Sequence, residues 1–171
     1  GTAKQYLLLD GKPVLYYALQ AFEESVVDSV VLVTGQDEIE YCKNEIVDFY
    51  GFEKVKAIVS GGKERYHSVA NGLRAVKQMD CETEVVMIHD GARPFVTPEM
   101  ICRLVEQTRV FEACVIGTPV KDTIKIADDS GFCEQTPTRS KVWAVQTPQS
   151  FTFEMVSGAY EQLIEKESNL I

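Results

Sequence analysis

Residues 84–96 read EVVMIHDGARPFV. The apolar run Val85–Ile88 has the length of one β-strand, and it passes straight into His-Asp-Gly-Ala-Arg-Pro. Two explanations stand side by side. The strand stops in an ordinary Asp-Gly turn with a solvated arginine, or it ends at a site where metal and phosphate meet. In the second, Asp90 is a hard oxygen donor suited to Mg²⁺, Gly91 and Ala92 keep the turn small, and Arg93 offers a planar fork that matches phosphate. His89 reads as a packed strand-end residue rather than a metal ligand or base.

Outward from this strand the pattern alternates. Residues 30–33 (VVLV) form a short, wholly apolar strand, as expected of a parallel strand covered on both faces. Residues 55–59 form another, and 113–116 a further one. Between them lie helical stripes: Leu15, Leu19 and Phe22 after Pro13; Ile39, Cys42, Ile46 and Phe49 over 37–50, stopped by Gly51; Val69, Leu73 and Val76; and Ile101, Leu104, Val105 and Thr108 after the Thr97-Pro98 start. Residues 118–145 break this rhythm with two extended pieces, around 123–126 and 142–145, joined by polar DDSG; they predict an inserted β-ribbon arm. Residues 151–164 return to a helix with Met155, Ala159 and Leu163 in register. The expectation is one α/β domain over 1–171, with a doubly wound, mostly parallel sheet. Ligands bind such sheets beyond the strand carboxyl ends, where both Gly61-Gly62 and Asp90-Gly91 fall.

Composition narrows the function. Apolar residues make up 45% of the 171, enough for a core, and no run approaches a membrane span. The net charge of −9, from 17 basic and 26 acidic residues, argues against a general nucleic-acid binder. It leaves room for a small anionic ligand in a local basic pocket. Cys42, Cys81, Cys102, Cys114 and Cys133 are scattered and never in C-x-x-C spacing, so they read as reduced thiols of a cytoplasmic protein, and a structural zinc site is not expected. The amino end carries no signal-peptide pattern.

Other motifs keep two readings each. In SGGKERYHS, residues 60–68, paired glycines let backbone approach a ligand and the next helix offers free N–H groups; an ordinary βα turn would look the same. Lys4, ahead of an apolar stretch, could reach a phosphate or be solvated. PVKDTIK (119–125), Thr138-Arg139 and QTPQ (146–149) could be ribbon and turn residues only.

Taken in order, KQYLLLDGKPVLYYAL, GGKERYHSVANGL, HDGARPFV, PVKDTIK and TRSKVWAVQTPQSF resemble the 2-C-methyl-D-erythritol 4-phosphate cytidylyltransferase family from Lys4 to about Leu163. HDGARPF followed by QTPQSF is the specific part. The resemblance implies a Rossmann-like nucleotidyltransferase fold and a homodimer of interlocking β-arms. It implies the reaction of CTP with the sugar-alcohol phosphate, releasing pyrophosphate, in non-mevalonate isoprenoid synthesis. By the same likeness Asp90 would hold Mg²⁺ or another divalent cation, and Lys4 would stabilise charge on the phosphates. Gly62, Lys63 and Ser68 would lie along the cytosine and ribose. Arg93, Thr123, Arg139 and Thr147 match substrate-binding positions, Thr123 and Arg139 acting from the partner's arm.

The family has a glycine-rich triphosphate loop just before the lysine, where only Gly1-Thr2-Ala3 stand here. Its Thr-Asp-Asp and Asn-Ile-Lys segments would fall beyond Ile171. The expectation is that residues 1–171 are the ordered part of a longer protein, the alternative being that the two segments were deleted. Lys63 stands where many relatives have a short polar or acidic residue, so a contact there would be made by backbone. A sister family acting on ribitol 5-phosphate shares HD-x-x-RPF and QTPQSF, but PVKDTIK and Trp143 fit the methylerythritol enzymes better. A non-catalytic nucleotide-binding scaffold is the remaining alternative.

Overall fold

The computed structural model of the chain describes residues 3–79 and 82–168, so Cys81 lies outside the described residues. Cys42, Cys102, Cys114 and Cys133 are free thiols. The chain opens with a hairpin of β1 (Leu8–Leu9) and β2 (Lys12–Pro13). Asp10 and Gly11 turn it, both at positive φ, the backbone that a two-residue hairpin loop requires. Helix α1 (Val14–Glu23) follows with Pro13 as its cap, one residue before the position expected.

Strand β3 (Val30–Thr34) leads through α2 (Ile39–Tyr41) into a π-helical stretch, Cys42–Asp48. The wider π turns change the inward face. Cys42, Ile46 and Val47 are buried, while Phe49, expected in the core, is 71% exposed. Gly51 ends the helix at φ +70°, a conformation that costs glycine nothing. Strand β4 (Val55–Ser60) pairs with β3 in parallel, as expected. Helix α3 (Arg65–Gln78) and strand β5 (Val85–Ile88) come next. Helix α4 (Pro98–Phe111) starts on the predicted signal: Thr97 Oγ1 accepts the Met100 N–H at 3.3 Å, with Pro98 at the first helical position.

The second half departs from expectation. After β6 (Ala113–Pro119) the ribbon consists of β7 (Ile126–Ala127) and β8 (Cys133–Gln135), antiparallel across the DDSG turn. The other expected ribbon piece belongs elsewhere. It opens β9 (Trp143–Thr152), a ten-residue strand that runs antiparallel between β5 and β6. The strands are therefore mixed rather than mostly parallel: β3–β4 is a parallel pair, and β5–β9–β6 is a separate antiparallel trio. Hydropathy hides β9 because its middle reads Gln-Thr-Pro-Gln-Ser, a polar run without the apolar alternation of a strand. Helix α5 (Phe153–Ser168) begins two residues later than expected for the same reason. It buries Val156 and leaves Met155, Ala159 and Leu163 exposed, because its inner face is set by packing on α3. The Tyr66 hydroxyl and the His67 ring of α3 hold Glu167 at 2.8 and 2.7 Å.

One apolar cluster gathers Leu15, Leu19, Cys42, Ile46, Val47 and Phe52; a second joins Ala21, Phe22, Val96 and Ile101. Among the described residues β3 and β5 are not paired with each other. Between them lies a cavity of about 500 Å³, walled by α1 and α3, that reaches Thr34 and Asp90 at the strand carboxyl ends.

Thr108 and Ser150 are fully buried, and Thr108 Oγ1 donates to Ser150 Oγ at 2.7 Å, tying α4 to β9. Thr108→Val should cost about 1–3 kcal/mol in urea unfolding, because it strips a buried hydroxyl of a partner. The Thr108→Val/Ser150→Ala double variant should lose less than the sum of the singles; strictly additive losses would show that the pair is not coupled.

Candidate active site

The turn after β5 is built around one carboxylate. Arg93 N–H donates to the Asp90 carbonyl at 2.9 Å and closes the turn. The Asp90 side chain, 37% exposed, then takes a guanidinium on each oxygen: Arg65 Nη2 to Oδ1 at 3.0 Å and Arg93 Nε to Oδ2 at 3.1 Å. Partial burial pushes the Asp90 carboxyl up, but hydrogen bonds from Arg65 and Arg93, and then their charge, outweigh it and hold the group below its ordinary value. Two cations around one anion leave a local positive excess in a chain of net charge −9, the basic pocket that a small anionic ligand requires.

Thr147 reaches this turn through an irregularity in β9. Gln149 pairs with Val115 and Val145 with Gly117, so β9 advances four residues while β6 advances two. Gln146, Thr147 and Pro148 thus stand opposite Ile116 alone and bulge, and such bulges re-aim side chains beside functional sites. Thr147 Oγ1 lands 3.1 Å from the Asp90 N–H and 3.1 Å from His89 Nδ1, and His89 Nε2 lies 3.0 Å from the Arg93 carbonyl. The His89 ring also rests against Phe22 of α1, and burial holds its pKa below the usual value.

The glycine turn is tied to two residues that line the same cavity, Thr34 and Ser68. Gly61 N–H donates to the Thr34 carbonyl at 2.7 Å, and Gly62 N–H donates to Ser68 Oγ at 3.0 Å. A Cβ on Gly61 would come within 2.8 Å of Ser68 Oγ, and one on Gly62 would collide with the His67 side chain. Both glycines are thus needed for close approach to α3, and Ser68 already holds the loop. Lys63 is exposed.

Lys4 begins a single 3₁₀ turn, Lys4–Tyr6, and its side chain is exposed. Its position is set by Tyr6, whose hydroxyl meets Thr34 Oγ1 at 2.8 Å, Glu38 Oε2 at 3.0 Å and Cys42 Sγ at 3.1 Å. Burial and the Cys42 contact push the phenol above its usual range. Gln5 and Tyr6 line the cavity that Asp90 also lines. The structure therefore brings Arg93 and Thr147 into contact with Asp90, and Asp90 lines one cavity with Ser68, Gln5 and Tyr6. Thr123 and Arg139 stand apart on the arm, both exposed, with Arg139 Nη1 donating to the Lys121 carbonyl at 3.3 Å.

Two participants were not legible as such. Arg65 is the first residue of α3, where the helix dipole disfavours a cation. That misplaced charge was a signal that an acid lay opposite. His89 was read as packing, and its links to Thr147 and Arg93 depend on the β9 bulge.

No group of three or more His, Cys, Asp and Glu side chains that could hold a metal occurs among the described residues. The donor set offers one hard carboxylate at a cavity mouth. That fits Mg²⁺, which is commonly held by one or two carboxylates with water and substrate phosphate completing the shell.

A mixed α/β fold whose strand carboxyl ends carry a carboxylate between two guanidiniums defines an α/β protein built to handle phosphate compounds. The profile of the family described as IspD, 2-C-methyl-D-erythritol 4-phosphate cytidylyltransferase, matches residues 1–170. The chain is 44% identical to the enzyme of that name from Lachnoclostridium phytofermentans over 99% of its own length and 71% of that protein's. It is 47% identical to that of Clostridium kluyveri over 94% and 68%. The crystal structure of 4-diphosphocytidyl-2C-methyl-D-erythritol synthase from Anaerococcus prevotii superposes with a TM-score of 0.83 at 30% identity, covering 96% of this chain and 70% of that one. The chain belongs to the 2-C-methyl-D-erythritol 4-phosphate cytidylyltransferase family.

Removing the Arg65 guanidinium should let the Asp90 carboxyl rise toward the ordinary value of 3.8 or above it. A carboxyl-carbon NMR titration of Arg65→Ala against the unaltered chain measures this. An unmoved midpoint would show that Arg65 does not set the charge of the site.

Proposed function

We propose that the chain transfers the cytidylyl group of CTP to 2-C-methyl-D-erythritol 4-phosphate, giving 4-diphosphocytidyl-2-C-methyl-D-erythritol and pyrophosphate, a step of non-mevalonate isoprenoid biosynthesis. The observation that carries this reading is the Asp90 carboxylate between Arg65 and Arg93, with Thr147 beside it, in a chain of this family.

A phosphate oxygen of the sugar alcohol attacks the α-phosphorus of CTP. The new P–O bond forms as the bond from the α-phosphorus to the α,β-bridging oxygen breaks, and pyrophosphate leaves with that electron pair. No covalent enzyme intermediate is required, so the protein contributes alignment and charge. Arg93 and Thr147 hold the sugar-alcohol phosphate. Lys4 faces the triphosphate and stabilises the charge that develops on its oxygens. Gly62, Lys63 and Ser68 lie along the cytosine and ribose, Lys63 through backbone. Asp90 would hold Mg²⁺, which would supply charge neutralisation on the phosphates when bound; Arg65, itself exposed, supports that carboxylate.

The arm completes the reading. Ile126 and Phe132 of the ribbon and Trp143 and Val145 of β9 are exposed, with Trp143 at 57% and Phe132 at 73%. Apolar surface of this kind supports contact with another chain. In a homodimer of interlocked arms, Thr123 and Arg139 of the partner subunit would meet the substrate phosphate. No helix among the described residues is long and apolar enough to cross a membrane, and a cytoplasmic location is part of the same proposal.

With CTP and Mg²⁺, pyrophosphate release should follow addition of methylerythritol phosphate. Turnover with ribitol 5-phosphate alone would assign the chain to the sister activity, and none with either would favour a binding scaffold. Asp90→Asn should lower turnover at least ~10²-fold, the scale on which such charge-stabilising groups act. Mixing Asp90→Asn with Arg139→Ala chains should restore part of the activity, since one of the two mixed sites is then intact. Absence of recovery in verified mixed dimers would refute a shared site.

A further inference from the structure

The hydrogen bonds around His89 can be assigned donor by donor. The Arg93 carbonyl can only accept, so the nitrogen 3.0 Å from it, Nε2, carries a proton. In a neutral imidazole Nδ1 is then bare and accepts. Its neighbour at 3.1 Å is Thr147 Oγ1, which must donate its single proton to the ring. The same oxygen accepts the Asp90 N–H at 3.1 Å. One chain of bonds results, in which the Asp90 amide donates to the Thr147 hydroxyl, the hydroxyl to His89 Nδ1, and His89 Nε2–H to the Arg93 carbonyl. Phe22, with its ring centroid 5.5 Å from that of His89, limits where the imidazole can turn.

We infer that His89 is a positioning residue for the reaction: it binds Thr147 to the Asp90–Arg93 turn and commits the Thr147 hydroxyl to act as an acceptor. With its proton spent on His89 and one lone pair on the Asp90 amide, Thr147 has one lone pair left. A phosphate oxygen without hydrogen has nothing to offer it. A substrate hydroxyl does. Thr147 therefore reads an alcohol hydrogen on the sugar-alcohol chain, and phosphate recognition falls to the guanidinium groups. His89 touches no substrate in this account. It sets the polarity of the group that does. This inference rests on the proposed substrate class, but the bonding around His89 itself does not.

The tautomer is tested on the ¹⁵N-labelled chain by long-range ¹H–¹⁵N NMR of the histidine rings. His89 should show a protonated Nε2 and a bare Nδ1 at neutral pH; a protonated Nδ1 would overturn the assignment. The positioning role is tested with His89→Asn and His89→Gln. Asparagine ends near the place of Nδ1 and keeps an acceptor for Thr147, whereas glutamine reaches toward the Arg93 carbonyl and leaves Thr147 without one. At matched Tm, methylerythritol 4-phosphate binding measured by calorimetry should weaken about tenfold in His89→Gln and less than about threefold in His89→Asn, the scale of one hydrogen bond. Equal affinity in the two variants would overturn the role. If the unaltered chain binds ribitol 5-phosphate and not methylerythritol phosphate, the substrate reading fails, and the same comparison run with ribitol 5-phosphate still decides the role of His89. If it binds neither, Thr147 recognises no sugar-alcohol hydroxyl and the inference fails with that reading.

Discussion

Gln149 sits opposite Ile88 in the antiparallel pairing of β5 with β9, and the site depends on that register. Two residues further back on β9, the bulge swings Thr147 across to the first peptide beyond β5. A slip of one residue would turn the alternate side chains of β9 to the other face of the sheet. Thr147 would leave Asp90, and Ser150 would leave its buried partner Thr108. The same strand therefore carries the Ser150 hydroxyl that pairs with Thr108 and, three residues earlier, the Thr147 hydroxyl that meets Asp90.

Around this register the charges arrange themselves. Asp90 stands at a strand end, where its side chain is half-buried and its backbone already turning. Such a carboxylate would be costly if left unpaired, and two guanidiniums from different elements answer it. Arg65 comes from the start of α3 and Arg93 from the turn itself, so the pair also fixes where α3 sits against β5. The resulting excess of positive charge is local. It coexists with a strongly acidic surface because the Debye length confines its influence to about 8–10 Å at physiological salt.

Cooperation among hydrogen-bonding groups matters as much. Tyr6, Thr34, Glu38 and Cys42 pin the amino end of the chain to the end of β3. Ser68 and Asn71 hold the glycine turn to the start of α3, Ser68 through Gly62 N–H and Asn71 through the Ser60 carbonyl. His89 links the turn after β5 to β9. Each element that borders the cavity is thereby anchored by a polar contact at its carboxyl end or its entry. The exposed ribbon is anchored less, by short pairing of β7 with β8, and its Ile126 and Phe132 side chains remain uncovered.

The amino-acid sequence by itself determined the local elements and the chemical vocabulary. Apolar runs announced β3, β4 and β5, and Thr97-Pro98 and Gly51 announced helix ends, because propensity and capping act over a few residues. HDGARP and QTPQSF announced the family and the residues that would matter. What only the tertiary structure decided was which of those residues meet. The mixed strand pairing, the inward face of α5, the exposure of Phe49, and the roles of Arg65 and His89 all follow from β9 and from helix packing. Those depend on hydrogen bonds between residues tens of positions apart. No short window of hydrophobicity carries that information, since a polar strand is stabilised by partners that only the folded chain supplies.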